Sequence, residues 1–172
     1  MKVREISTSA LFVALIAVSA SIIIPTPIVP FSLQPLAIFL TALALPKRQA
    51  LWTIIAYIIV GLIGFPAFSG GNGGPIMLIK PTFGFIIGFI PMVYCANRFQ
   101  HLKLKGIRVV SCITGIFVLY AVALPYLYWN LTFLQKMDIS FITLFSNYCL
   151  MFIPTDVASF SLASLIADKL PH

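Results

Sequence analysis

Acidic side chains are almost missing from this chain: Asp and Glu together number 4 in 172 residues, against 11 Lys and Arg. Charged residues of both signs reach only 9%, where a soluble domain carries about a quarter. So little charge cannot cover a water-soluble globule of this size. Histidine is scarce too, with only His101 and His172. There is no HExxH, no Ser–His–Asp order and no metal-ligand spacing, so the sequence offers no catalytic residue, no metal site and no cofactor motif. The cysteines Cys95, Cys112 and Cys149 lie in apolar runs without CxxC or CxxH spacing. An odd number without a framework reads as buried thiols rather than a disulfide scaffold.

What is abundant is apolar. Hydrophobic residues make up 60% of the chain and the mean hydropathy is +1.07. A lipid bilayer accepts that surface, and the length suits one domain over residues 1–172. The net charge of +7 fits the excess of Lys and Arg in cytoplasmic loops of membrane proteins. The basic residues form no face interleaved with base-stacking aromatics, so nucleic acid is not an expected partner. Lys2 and Arg4 followed by an apolar run and Ala17-Val18-Ser19-Ala20 have the outline of a signal peptide. The apolar run continues through Ile24, and a first transmembrane helix is the better reading.

The expected fold is all-α, a polytopic bundle of six transmembrane helices. Segment one covers about Ile6 to Ile24, long enough for about 30 Å of hydrocarbon, and stops at Pro25, Pro27 and Pro30. Segment two covers about Leu33 to Leu45, and segment three Gln49 to Gly64. Both are short, which means thinning the bilayer or bordering a water-filled cavity. The loop Phe68-Ser69-Gly70-Gly71-Asn72-Gly73-Gly74-Pro75 follows. Segment four is placed at about Pro81 to Tyr94, then a basic loop with Arg98, His101, Lys103, Lys105 and Arg108, and segment five at Val109 to Trp129. Residues 131–170 are divided at Pro154. Asp138 or Ser140 caps a short apolar helix ending near Phe152, and the last helix starts at Pro154 and ends before Pro171. With the N-terminus cytoplasmic, the inside holds Lys2, Arg4, Lys47, Arg48, Arg98, Lys103, Lys105, Arg108 and Lys169, and the outside only Lys80 and Lys136. That asymmetry places both termini in the cytoplasm and the Gly-rich loop outside.

Several features bear on chemistry. Ala10, Ala14, Ala17 and Ser21 form a ridge of small side chains on one helix face, suited either to a partner helix or to internal packing. Gly84 and Gly88 make a similar pattern, read as internal packing. The glycine-rich loop lacks the Gly-Lys-Ser/Thr of a P-loop. It is either a linker or a cover folded over a cavity, and its apolar flanks Phe65, Phe68, Ile76 and Met77 favour the cover. Asp156 is the one acidic residue well inside an apolar segment, where an ionisable group is costly and marks function. Lys80 is an isolated external cation between Ile79 and Pro81 with three open roles: pairing with Asp156, binding a substrate carboxylate, or reaching lipid headgroups. Ser32 and Gln34 either face the cavity or cap segment two. The sequon Asn130-Leu131-Thr132 is read as chance.

Taken in order, Pro30-Phe31-Ser32-Leu33-Gln34, the run from Gly61 through Phe65-Pro66-Ala67-Phe68 to Gly74, Pro81-Thr82-Phe83-Gly84-Phe85, and Phe152-Ile153-Pro154-Thr155-Asp156 resemble the BioY family, the biotin-binding S components of energy-coupling-factor (ECF) transporters. The resemblance covers nearly the whole chain. It implies a six-helix bundle in the cell membrane that captures biotin from outside, with a transmembrane coupling subunit and a pair of cytoplasmic ATPases as partners. It implies that Ala10, Ala14 and Ala17 meet the coupling subunit. It also implies that Asn72 and Asp156 make polar contacts to the ureido ring; the reading of the residues themselves adds Gln34, Ser32, Gly71 and Gly73 to the candidate site. The chain departs from the family pattern twice: Lys80 stands in place of a glycine, and Ser159 in place of a lysine expected to meet the biotin carboxylate. Lys80 is the expected substitute for that charge.

The reading is therefore a substrate-capture subunit, not an enzyme, with ATP hydrolysed by its partners. Its rivals are an S component for a related small carboxylate such as dethiobiotin, and a membrane adaptor that binds no small molecule.

Overall fold

The structure is a computed structural model that describes residues 3–24, 31–102, 108–146 and 151–170. Helix α1 is Val3–Ser21; the chain then turns extended, and β1 (Ile23–Ile24) pairs antiparallel with β2 (Phe31–Ser32), with Ile23 opposite Ser32. Helices α2 (Gln34–Ala44) and α3 (Lys47–Ile63) follow, then a 3-10 turn at Pro75–Ile79, α4 (Phe83–Phe99) and α5 (Val109–Trp129). α5 ends in a π turn at Asn130–Leu134, and a one-turn helix α6 (Phe141–Leu144) and helix α7 (Met151–Ala167) complete the order. Lys2, the prolines at 25, 27 and 30, Lys103, Lys105, Cys149, Pro171 and His172 lie outside the described residues.

Side-chain ties show which helix ends lie together. Gln49 on α3 donates to the Glu5 carbonyl of α1 at 3.0 Å. Asn97, near the end of α4, donates to the carbonyls of Ala42 and Leu45 at 2.7 and 2.9 Å and so caps the buried end of α2. Ser111 on α5 donates to the Ala96 carbonyl of α4. Arg108 reaches Asp168 just beyond α7. At the opposite end, Gly70 N–H donates to the Ala20 carbonyl of α1, and Gly74 N–H to the Gly61 carbonyl of α3. The helices therefore alternate in direction. One end gathers the start of α1, the α2–α3 junction, the end of α4, the start of α5 and the end of α7.

Among the described residues, two segments, Val3–Ser21 and Val109–Leu134, are long and apolar enough to cross a membrane. α2, with 11 residues, is about 16 Å long, roughly half the hydrocarbon thickness. It sits inside the bundle instead, with Ala37, Ile38, Phe39, Ala42 and Leu43 buried and Phe39 edge-on to Phe160 of α7 at 5.2 Å. Outward faces are apolar: Phe117 on α5 and Leu11 on α1 are both 71% exposed. Gly84 and Gly88 admit α5 closely, as expected. A Cβ on Gly84 would lie 2.9 Å from the Ala123 carbonyl, and one on Gly88 would lie 2.9 Å from Leu119.

Several sequence expectations are corrected. The first helix stops at Ser21, and Ile23 and Ile24 are extended, because β2 offers them backbone partners. α4 continues past Tyr94 to Phe99, which puts Arg98 in its last turn. α6 (Phe141–Leu144) starts directly after Ser140, as expected, while its expected end near Phe152 follows residues 147–150, which lie outside the described residues. Pro154 does not open the last helix. α7 already runs from Met151, with Pro154 inside it near its start. Asp156 consequently sits a turn deeper in α7 than expected. Finally, Arg108 is not a solvated loop residue: it is 4% exposed.

Candidate functional site

The segment between α3 and α4 is tied into a fixed roof at the end where Gly70 and Gly74 meet α1 and α3. Phe68 and Asn72 exchange backbone hydrogen bonds at 2.9 and 3.2 Å, closing a tight turn. Gly71 stands in that turn at φ 71°, a conformation costly for any residue with a Cβ. The Phe68 ring lies flat against α3 because Gly61 has no side chain; a Cβ there would come within 2.3 Å of the ring. Phe68 also meets Tyr57 edge-on at 5.5 Å. Further along, α5 clasps the roof from the side: Asn130 donates to the Ile79 carbonyl at 2.8 Å, and Tyr126 to the Leu78 carbonyl. Both bonds lie immediately before Lys80 and fix where its side chain begins.

Beneath this roof is a cavity of about 520 Å³, within the range of pockets for small organic ligands. Its walls are largely apolar, with Phe68, Met77, Phe85, Phe89, Leu119 and Phe152 among them. The polar groups lining it are few: Ser32, Gln34, Ser69, Asn72, Lys80, Thr82, Tyr120, Thr155, Asp156 and Ser159. Helix α7 contributes Thr155, Asp156 and Ser159, and α2 contributes Gln34.

Asp156 is 5% exposed, and one carboxylate oxygen, Oδ2, accepts the Tyr120 hydroxyl at 2.6 Å. The Tyr120 ring is held by an edge contact with Phe85 at 5.9 Å. Lys80 Nζ donates to Asn72 Oδ1 at 3.1 Å, while the Asn72 amide donates to the Ser69 carbonyl at 2.7 Å. Of the three roles open to Lys80, pairing with Asp156 is not found: the ion pair among the described residues is Arg108–Asp168. An ammonium and a carboxylate thus line one apolar cavity without neutralising each other.

Gln34 is a wall residue rather than a cap: its amide donates to Tyr57 at 2.8 Å, and no side chain caps α2. Ser32 and Ser159 also line the cavity. Gly71 and Gly73 do not. They shape the roof from behind, Gly73 because a Cβ would stand 2.1 Å from the Phe65 carbonyl oxygen. Tyr120 is the lining residue that the sequence does not single out; Thr155 and Phe85 stand there only as parts of motifs, and Met77 only as a flank of the loop. Tyr120 is one of several tyrosines in α5, and nothing local separates it from Tyr126 or Tyr128. The small-residue ridge lies away from the cavity, with Ala10, Ala14 and Ser21 exposed and Ala17 half-buried.

Fold and site together define a class: a helical bundle whose apolar outer faces surround a roofed, mainly apolar cavity of small-ligand size. The comparisons make it particular. A model of the BioY family matches residues 1–172. The chain is 38% identical over 168 residues to a protein of Lysinibacillus sphaericus named "Probable biotin transporter BioY", covering 94% of this chain and 83% of that one. It is 32% identical over 170 residues to a protein of the same name from Pyrococcus horikoshii, covering 99% and 98%. A solved structure, the S-component for biotin from an ECF-type ABC transporter, superposes with a TM-score of 0.80 at 26% identity, covering 98% of this chain and 90% of that one. The chain belongs to the BioY family, a family of membrane-integral transporter components rather than enzymes.

Proposed function

We propose that this protein captures biotin and delivers it inward as the S component of an ECF-type transporter. The observation that carries the reading is the pair of unneutralised opposite charges, Asp156 and Lys80, lining one apolar cavity. Biotin matches it in chemistry. Its ring N–H groups suit the free oxygen of Asp156 as an acceptor, its carboxylate suits the Lys80 ammonium, and its bicyclic core and valeryl chain suit the apolar walls. Asn72 Oδ1, now held by Lys80, becomes available to a ring N–H once the ligand carboxylate draws Lys80 away.

The bundle crosses the cell membrane six times, through α1 to α5 and α7. Arg4, Lys47, Arg48, Arg98, Arg108 and Lys169 lie toward one end, and Lys80 and Lys136 toward the other. The first end is therefore cytoplasmic and the cavity opens outside. Trp52 and Tyr94 near the basic end, and Trp129 at the cavity end, are about half exposed, as interfacial aromatics are. With no nucleotide motif in the chain, energy comes from an ATPase pair acting through a transmembrane coupling subunit. The exposed Ala10 and Ala14 ridge of α1, with Ala17 beside it, is the surface that meets that subunit.

Calorimetry of biotin with the detergent-solubilised protein, with Asp156→Ala alongside, tests the reading. Tight binding lost in the variant is expected. Folded wild type that ignores biotin would overturn it. Competition with dethiobiotin addresses the related-carboxylate alternative, which the uncharged Ser159 on the cavity wall keeps in play.

A further inference from the structure

Tyr120 stands outside the four sequence segments quoted above for the family resemblance, yet it makes the hydrogen bond that Asp156 receives from the protein among the described residues. We propose that Tyr120 is a positioning residue that sets which hydrogen-bonding face Asp156 shows the ligand, and so makes the site selective for a ring N–H donor. The inference rests on the biotin reading above.

The argument is one of donors and acceptors. An ionised carboxylate only accepts, and a phenol hydroxyl in its reach donates. The 2.6 Å bond from Tyr120 to Oδ2 therefore occupies one oxygen and fixes the rotation of the whole group. The Tyr120 ring cannot drift, because Phe85 meets it edge-on and the residue is 5% exposed. Oδ1 is then an acceptor held at a set angle in a cavity of apolar walls. A ligand N–H satisfies it, whereas a ligand oxygen lone pair or a methylated nitrogen leaves it unpaired, at a cost a buried polar group does not recover elsewhere. Lys80 does not compensate, since its ammonium rests on Asn72 in the empty site and goes to the ligand carboxylate on binding.

This logic makes an unusual prediction for Asp156→Asn. With Tyr120 present, a phenol that goes on donating favours the amide oxygen on its side and leaves the –NH2 toward the ligand, so two donors face each other. Removing the phenol lets the amide rotate and present oxygen to the ligand. Tyr120→Phe is therefore expected to restore part of the binding that Asp156→Asn loses, although each change alone weakens it.

The experiment is biotin calorimetry on wild type, Tyr120→Phe, Asp156→Asn and the double variant, with the unfolding midpoint of each empty protein and a ring-N-methylated biotin as second ligand. Tyr120→Phe keeps the ring against Phe85, so its empty form is expected to unfold near the wild-type temperature. It should bind biotin about ten-fold more weakly, the scale of one hydrogen bond to a charged group, and discriminate less between biotin and the methylated form. The double variant should bind more tightly than Asp156→Asn. A double variant no tighter than Asp156→Asn, or a discrimination ratio unchanged in Tyr120→Phe, overturns the proposal while leaving biotin as the ligand. Wild type that binds no biotin overturns the functional reading, and this inference with it.

Discussion

Arg108 and Asp168, 60 residues apart in sequence, meet at 2.7 Å and join the start of α5 to the chain just past α7. The arginine side chain is 5% exposed and the aspartate 35%. Among the described residues, Arg108 Nε and Nη1 have no hydrogen-bond partner, and Asp168 meets this buried guanidinium at Nη2. Removing one partner of a buried pair strands the other charge. Asp168→Ala is expected to destabilise the empty protein by about 3 kcal/mol, the low end for buried pairs because Asp168 is partly exposed. A lowered midpoint in detergent checks this, with biotin affinity little changed because the pair lies at the end away from the cavity.

Lys80 should act on the ligand's carboxylate alone. A hydrogen bond to a charged group contributes about 1.5–3 kcal/mol, so Lys80→Ala should weaken biotin binding by about ten- to hundred-fold. It should leave the affinity for biotin methyl ester nearly unchanged. Equal losses for acid and ester would show that Lys80 works through the roof, by its bond to Asn72.

The roof itself depends on a close backbone approach at Gly73. A Cβ 2.1 Å from the Phe65 carbonyl oxygen cannot be accommodated without moving main chain. Gly73→Ala is expected to shift the turn that carries Asn72 and to cost at least ten-fold in biotin affinity, with the helical circular dichroism unchanged. Wild-type affinity in that variant would mean the roof tolerates the shift.

On α1 the expectation is reversed. Ala14 is exposed and far from the cavity lining, so Ala14→Trp should leave biotin binding by the isolated protein as it is. It should reduce co-purification with the coupling subunit, because bulk on a small-residue ridge keeps helices apart. Undiminished complex would move the interface elsewhere.

How much of this was legible in sequence follows from the range of the interactions involved. Helices two and five were placed nearly to the residue, since their limits are written locally: the prolines before α2, Pro46 after it, and a long apolar run from Val109. Asp156 stood out because a carboxylate in an apolar segment is conspicuous by itself. Pro154 misleads, since proline permits a helix start without requiring one, and the helix here already runs from Met151. Arg108 misleads as well: next to His101, Lys103 and Lys105 it reads as a solvated loop residue, and only Asp168 reveals the burial.

The sequence alone determined the solvent this protein prefers, the helical class and the residues Asn72, Lys80, Gln34 and Asp156 as candidates, because composition, proline spacing and isolated polar groups are properties of short stretches. The tertiary structure alone decided that Lys80 rests on Asn72 rather than Asp156, that Asp156 is held by Tyr120, and that Gly73 shapes the roof without lining the cavity. Those are choices among partners far apart in the chain, and they are made by which helices pack together, a long-range outcome that no local pattern encodes.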